Sequence, residues 1–331
     1  MSITRTNLMN VKQSGVALVT VLLVVAIATV MAVSMVQEQQ GSIHITRGFL
    51  SRGQAGQYAL GGEELARQIL QEDHAEGENR DYLTETWANP ELHFQFEEGE
   101  VNLQITDLHG LFNVNSLSSE NGLVGIARQR LVSLLSAAGV DPLLADKIQD
   151  WIDADTSARP AGAEDFDYLV YDPPYRAGNG MVEDISELGL LGFKPEVLAQ
   201  VIPFFTALPN AGTLVNINTA SPFILQAVIP ELSFDAANGL VERREEQEAG
   251  FETVEAFLQL SELAGLRVVN NGLGVQSSFF EVRTIARYQE RFSYLTSILH
   301  RDPLDGSIRV ISRDFSKNFR PQQVVEEDYD G

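Results

Sequence analysis

The chain has 331 residues, 44% of them hydrophobic and 21% charged, with a formal net charge of −23 and no cysteine. Such a composition is globular rather than disordered, and it excludes disulfide scaffolds, thiolate metal sites and cysteine nucleophiles. The negative field repels phosphate backbones and anionic lipid, which leaves metal cations and basic protein surfaces as favoured partners.

Residues 1–15 are a basic leader that holds Arg5 and Lys12 and ends in Gly15. Residues 16–36 carry no charge. At about 1.5 Å per residue they span roughly 31 Å, the thickness of a bilayer core. Arg5 and Lys12 before the run and Glu38 after it keep the N-terminus in the cytoplasm and send the rest of the chain across. A secretory signal would place an Ala-x-Ala-like cut after a shorter apolar core. Here the small residue, Gly15, precedes the run, and an uncleaved single-pass anchor is the alternative. The leader holds no acid, so removing its two basic residues takes the charge from −23 to −25.

Residues 37–110 begin with a more polar continuation of this helix, over 38–73. Ala59, Gly62, Ala66 and Ile69 give it one weakly apolar face. Its glycines, Gly41 to Gly62, each cost up to ~1 kcal/mol in a helix, so packing must hold it. A polar connection over 74–90 follows. Phe94 and Phe96, then Val101, Leu103 and Ile105, alternate with polar neighbours around Glu97-Glu98-Gly99, the pattern of a hairpin.

Residues 111–276 read as helical, with candidate helices at 127–138, 142–154, 194–205, 221–228, 235–246 and 253–260. Residues 277–320 return to strand character at 278–287 and 291–299. Asp305-Gly306 then turns the chain into a last strand over 307–312. Residues 321–331 are an acidic tail. The order gives an α+β fold: a long N-terminal helix on a small antiparallel sheet, interrupted by an all-helical insertion domain.

The middle repeats itself. Leu111-Phe112-Asn113-Val114-Asn115-Ser116 matches Leu214-Val215-Asn216-Ile217-Asn218-Thr219. Ser186-Glu187-Leu188 matches Ser261-Glu262-Leu263, where each serine could cap a helix. Two copies suggest one duplicated supersecondary unit rather than a solenoid.

The strongest chemical signal is the acidic run of Asp150, Asp153, Asp155, Glu164, Asp165, Asp167 and Asp172, opposed by Arg159 alone. Carboxylates this dense repel unless a cation neutralises them, and oxygen-rich ligation suits Ca²⁺. Asp153, Asp155, Ser157 and Glu164 fall at EF-hand positions 1, 3, 5 and 12. Ala158 replaces the glycine expected at position 6, so an irregular calcium loop is expected, with Asp150, Asp153, Asp155, Glu164, Asp165 and Asp167 as its candidate ligands; the alternative is a solvated acidic loop. A glycosidase pair of Asp153 and Glu164 would need one carboxyl in an apolar enclosure and an aromatic sugar platform, and the sequence offers neither. No nucleophile motif is present, and the five histidines show no ligand spacing. No catalytic residue is expected.

The segment from Asn216 to Leu258 is similar to the helix-hairpin-helix of DNA-uptake proteins. Its hairpin position reads Ile229-Pro230-Glu231-Leu232-Ser233, with no glycine to offer backbone N–H groups and an added acid. A scaffold without nucleic-acid binding is expected, and a membrane-anchored DNA-uptake protein is the alternative function.

Basic leader, Gly15 and apolar helix together resemble the type III signal of type IV pilins and pseudopilins. The resemblance implies cleavage by prepilin peptidase and a methylated N-terminus at Val16. Four features together resemble the K minor pseudopilins of the bacterial type II secretion system. They are Gly15-Val16, Asp150-Trp151-Ile152-Asp153 with Gly162-Ala163-Glu164-Asp165, Pro173-Pro174-Tyr175-Arg176 with Ser186-Glu187-Leu188, and Asn216-Ile217-Asn218-Thr219-Ala220. The resemblance implies a single pass through the inner membrane, a periplasmic domain, and calcium in the helical part. It also implies a complex with the I and J minor pseudopilins, among other pseudopilins, at the tip of a pseudopilus. The fifth residue after Gly15 is Thr20, where most pilins have a glutamate that pairs with the N-terminal amine of the subunit ahead. Thr20 supplies no such charge and suits a leading position.

Overall fold

The structure is a computed structural model that describes residues 14–76, 79–90, 92–247 and 249–316. Most of the leader 1–15 and the whole tail 321–331 lie outside the described residues. Helix α1 (Ser14–Ala75) runs unbroken for 62 residues. Its apolar N-terminal stretch is wholly exposed. From Ser51 onward one face turns inward, and Ala55, Ala59, Ala66 and Leu70 are fully buried. Gly62 lies in that row, where a Cβ would stand 2.6 Å from Thr284 Cγ2 and 2.8 Å from Val101 Cγ1. The small residues of this half therefore serve close approach of helix to sheet. That packing offsets their poor helix propensity.

Strands β1 (Leu92–Phe96) and β2 (Gly99–Asp107) form the expected hairpin. At Gly99 a Cβ would meet the Arg287 carbonyl at 2.1 Å, so only glycine fits. The chain then leaves the sheet and passes β3 (Phe112–Asn113), β4 (Phe205–Thr206), β5 (Val215–Asn216) and β6 (Leu273–Gly274). It returns as β7 (Phe279–Tyr288), β8 (Arg291–Arg301) and β9 (Ile308–Asp314). The sheet order is β1-β2-β7-β8-β9, antiparallel throughout. Val101, Leu103, Ile105, Phe280, Leu295 and Leu299 meet α1 in one core.

The insertion builds a separate core on α2 (Val124–Ala137), α3 (Leu144–Ile152), α4 (Asp165–Tyr168), α5 (Pro195–Val201), α6 (Pro222–Val228), α7 (Phe234–Glu246) and α8 (Val254–Leu258). It is not all-helical as expected. β3 pairs with β4 and β5 with β6, each as a two-residue parallel ladder. Two residues are too short for strand periodicity to register.

The sequence repeat marks these ladders. Asn113 Oδ1 accepts from the Asn115 N–H, and Asn216 Oδ1 accepts from the Asn218 N–H. The second asparagine of each copy clamps a distant backbone with both ends of its amide. Asn115 binds N–H and C=O of Val182 at 2.8 and 2.9 Å. Asn218 binds N–H and C=O of Phe251 at 2.8 and 3.0 Å. The two units are thus folded by one device. The repeated serines do not cap. Ser186 and Ser261 lie inside their 3-10 turns, and Asp184 caps the first by accepting from the Ser186 N–H.

The insertion joins the sheet where α1 ends, and a buried polar network makes the joint. Asp107 Oδ2 accepts from Asn216 Nδ2, Ser277 Oγ and Thr219 Oγ1. Buried His109 bridges the Leu214 carbonyl and Ser278. Arg301 reaches Asp73 at 2.7 Å, ion-pairs with Asp81, donates to the Ser277 carbonyl and lies over the Phe280 ring.

Candidate metal centre

Helix α3 ends at Asp153, whose extended backbone turns the chain into a loop that returns at Glu164, the residue before α4. The loop brings three of the six predicted ligands together. Carboxylate oxygens of Asp153, Asp155 and Glu164 all lie within 4.8 Å of one another. Asp153 and Glu164 are buried, each 6% exposed, and Asp155 faces solvent. Asp153 Oδ1 and both Glu164 oxygens are buried without a hydrogen-bond partner. Orphaned buried acceptors are costly, and hard oxygens converging in this way fit a cation such as Ca²⁺.

The other three predicted ligands have structural work. Asp150, fully buried, accepts from the Arg159 guanidinium and from its backbone N–H at 3.0 Å. Asp165 Oδ1 accepts from the Ala177 N–H at 3.1 Å, and Asp167 Oδ2 from the Glu164 N–H at 2.9 Å. Those three hold the loop that the first three line. Arg159 also donates to Asp153 Oδ2 at 2.5 Å, which leaves Oδ1 as that residue's open donor atom.

Burial pushes the Glu164 carboxyl up to about 7, helped by the negative charges of Asp150, Asp153, Asp155 and Asp165. Burial likewise raises Asp153, against the pull of Arg159. Like charges crowded at low dielectric are what a bound divalent ion would relieve. Gly162 is a site residue that the carboxylate pattern does not reveal. A Cβ there would fall 1.7 Å from Asp150 Oδ2, so its glycine lets the loop fold over Asp150. Beneath the loop, Trp151 meets Tyr168 edge to face at 5.1 Å.

Asp73, Asp81 and Glu85 also converge. Arg301 already compensates Asp73 and Asp81, and Glu85 accepts from Trp87 Nε1 and the Tyr82 N–H, so an internal cation fills that role. In α1, the Thr20 hydroxyl donates to the carbonyls of Val16 and Ala17 at 3.2 and 2.9 Å, leaving that point of the apolar surface uncharged. Between α6 and α7, Ser221 and Ser233 cap the two helices and buried Arg244 binds the Ile217 and Ala220 carbonyls.

A long helix, apolar enough at its N-terminal end to cross a membrane and laid on an antiparallel sheet at its C-terminal end, defines a pilin-like subunit. Two family models described as "Type II secretion system (T2SS), protein K" match residues 110–210 and 215–276. Each begins at one copy of the asparagine repeat. The type II secretion system protein K of Pseudomonas aeruginosa is 35% identical over 320 residues, covering 93% of this chain and 95% of that one. Its counterpart from Klebsiella pneumoniae is 33% identical over 303 residues, covering 86% and 92%. The crystal structure of the GspK-GspI-GspJ complex from the enterotoxigenic Escherichia coli type 2 secretion system is similar, with a TM-score of 0.72 and 27% identity. It matches over 82% of this chain and 99% of that one. The chain belongs to the type II secretion system protein K family and is a minor pseudopilin of that system. The DNA-uptake alternative finds no support among these relatives.

Proposed function

We propose that this subunit leads a pseudopilus, in complex with I and J minor pseudopilins, and that its insertion loop holds calcium. One observation carries the tip position. The insertion joins the body at Asp107 and Phe279, beside the Asp73 end of α1. At the helical rise, that joint stands about 55 Å from residue 36. With residues 16–36 in the inner membrane and the remainder in the periplasm, the bulky insertion covers the end away from the membrane, where a further subunit would have to stack. Neutral Thr20 agrees, since the first subunit has no amine ahead of it to pair with. The complex of the similar Escherichia coli protein with GspI and GspJ supports the partners.

Asp153, Asp155 and Glu164 would hold the calcium, and Asp150, Arg159, Asp165 and Asp167 would keep the loop in shape. Bound there, the ion supplies charge neutralisation that fixes the insertion's surface for assembly. Prepilin peptidase would cut between Gly15 and Val16, and the new N-terminal amine of Val16 would be methylated. Labelling isolated pseudopili with a tag on this subunit tests the tip position. Label confined to one end, at about one copy per filament, is expected; label spaced along the shaft would refute it.

A further inference from the structure

Beyond α1, several strongly exposed apolar side chains cluster on α4 and the residues after it. Phe166 is 85% exposed and Val170 80%, with Leu169, Tyr171 and Leu190 each more than 40% exposed. The backing of this surface is rigid. Tyr168, between Phe166 and Val170, is fully buried and stacks on Tyr175 at 5.6 Å, and Tyr175 stacks on Tyr171 at 5.5 Å. Tyr175 Oη donates to the Leu190 carbonyl at 2.5 Å, which ties Leu190 to the same stack. A floppy loop could fold its apolar side chains away from water; a four-residue helix pinned by a buried tyrosine cannot. Exposed apolar patches fixed in this manner mark interaction sites.

The surroundings define the partner. Between residues 160 and 200 the sequence carries eight acids against Arg176 and Lys194, and in space Lys147, whose Nζ lies 5.8 Å from the Tyr168 ring, is a further cation there; the acids still predominate. Asp167 and Asp172 are exposed in the same stretch as Phe166 and Val170, and Glu183 and Asp184 are exposed ahead of the turn that carries Leu190. A second copy would bring −23 against −23, and anionic lipid is repelled for the same reason. We propose that the α4 surface docks a protein partner that presents a basic face with projecting apolar side chains. Apolar contact supplies the anchor and the acidic rim supplies steering and selectivity. The surface stands on the geometry of α4 and does not depend on the tip position.

The test uses the full-length chain with Phe166→Ser and Val170→Ser together, substitutions at exposed positions that leave the fold intact. In non-ionic detergent, a synthetic amphipathic peptide of lysine and leucine should lose at least ~10-fold in affinity, about 1.4 kcal/mol, in this variant. A glutamate and leucine peptide should bind neither form. In the producing bacterium, secretion through the system should fall to a similar degree, with an unchanged melting temperature. Asp172→Lys with Glu183→Lys should weaken the lysine peptide without touching the apolar anchor. Equal peptide affinity in wild type and the serine variant would overturn the proposal. So would wild-type secretion, or a detergent-solubilised dimer that the serine substitutions dissociate, which would make a second copy the occupant.

Discussion

Replacing Asn115 with alanine should damage the first half of the insertion more than any comparable polar change there. The Asn115 side chain is fully buried and makes three hydrogen bonds to backbone. Oδ1 accepts from the Val182 N–H, and Nδ2 donates to the carbonyls of Val182 and Leu208, all within 2.9 Å. Alanine leaves three buried backbone groups without partners, since Val182 and Leu208 are themselves buried. At ~1–2 kcal/mol for each stranded group, the cost is roughly 3–6 kcal/mol. For a unit of this size, 1 kcal/mol moves the melting temperature by about 2–4 °C, so a drop of roughly 10 °C is expected. The chain has two tryptophans, Trp87 in the sheet core and Trp151 in the insertion core. In a Trp87→Phe background, the fluorescence of Trp151 reports the insertion alone. Asn102→Ala, on an exposed strand position, serves as control and should move it by less than 2 °C. A shift for Asn115→Ala no larger than the control's would refute the clamp as an organising device. Asn218→Ala, which strands two groups on Phe251, should cost about two thirds as much.

The remaining expectations concern the metal loop, the packing of α1, a half-buried acid and the leader. Calcium should raise the melting temperature by several degrees over chelator through linkage. Asp153→Asn with Asp155→Asn should erase that difference, and identical melts of the wild type would sink the calcium reading. Gly62→Val should destabilise by about 1–3 kcal/mol through overpacking against Thr284 and Val101, whereas Gly61→Ala, with open space around it, should stabilise by up to ~1 kcal/mol; denaturant midpoints compare the two. Burial pushes Glu85 up to about 8, with opposition from its bonds to Tyr82 and Trp87 and added repulsion from Asp73 and Asp81. Its contribution to stability is therefore complete below about 4.5 and is lost as pH rises through about 8. Melts from pH 6 to 9 should fall in the wild type and fall less steeply in Glu85→Gln, where Glu164, pushed up to about 7, and Asp81, pushed up to about 6, leave a residual slope; parallel curves would refute the assignment. Gly15→Leu should leave the leader attached, and N-terminal sequencing of the wild type should begin at Val16.

Patterns along the chain were enough for the anchor, the α+β order and the strand regions. An uncharged 21-residue run and strict alternation in 99–107 are local facts, and water or lipid responds to them in much the same way in any fold. The asparagine repeat was also visible, but its meaning was not. Asn115 meets Val182 and Asn218 meets Phe251 across 67 and 33 residues, and no spacing rule connects them. The acidic run was legible as a cluster of charge, yet its division was settled in space. Asp153, Asp155 and Glu164 converge with open oxygens, whereas Arg159 claims Asp150 and backbone N–H groups claim Asp165 and Asp167. The glycines of α1 looked like weaknesses until the sheet was laid against Gly62. Periodicity and charge are properties of a segment and can be read from it. Hydrogen-bond partners, close approach and the exposure of Phe166 depend on what the rest of the chain brings alongside, and only the folded structure decides them.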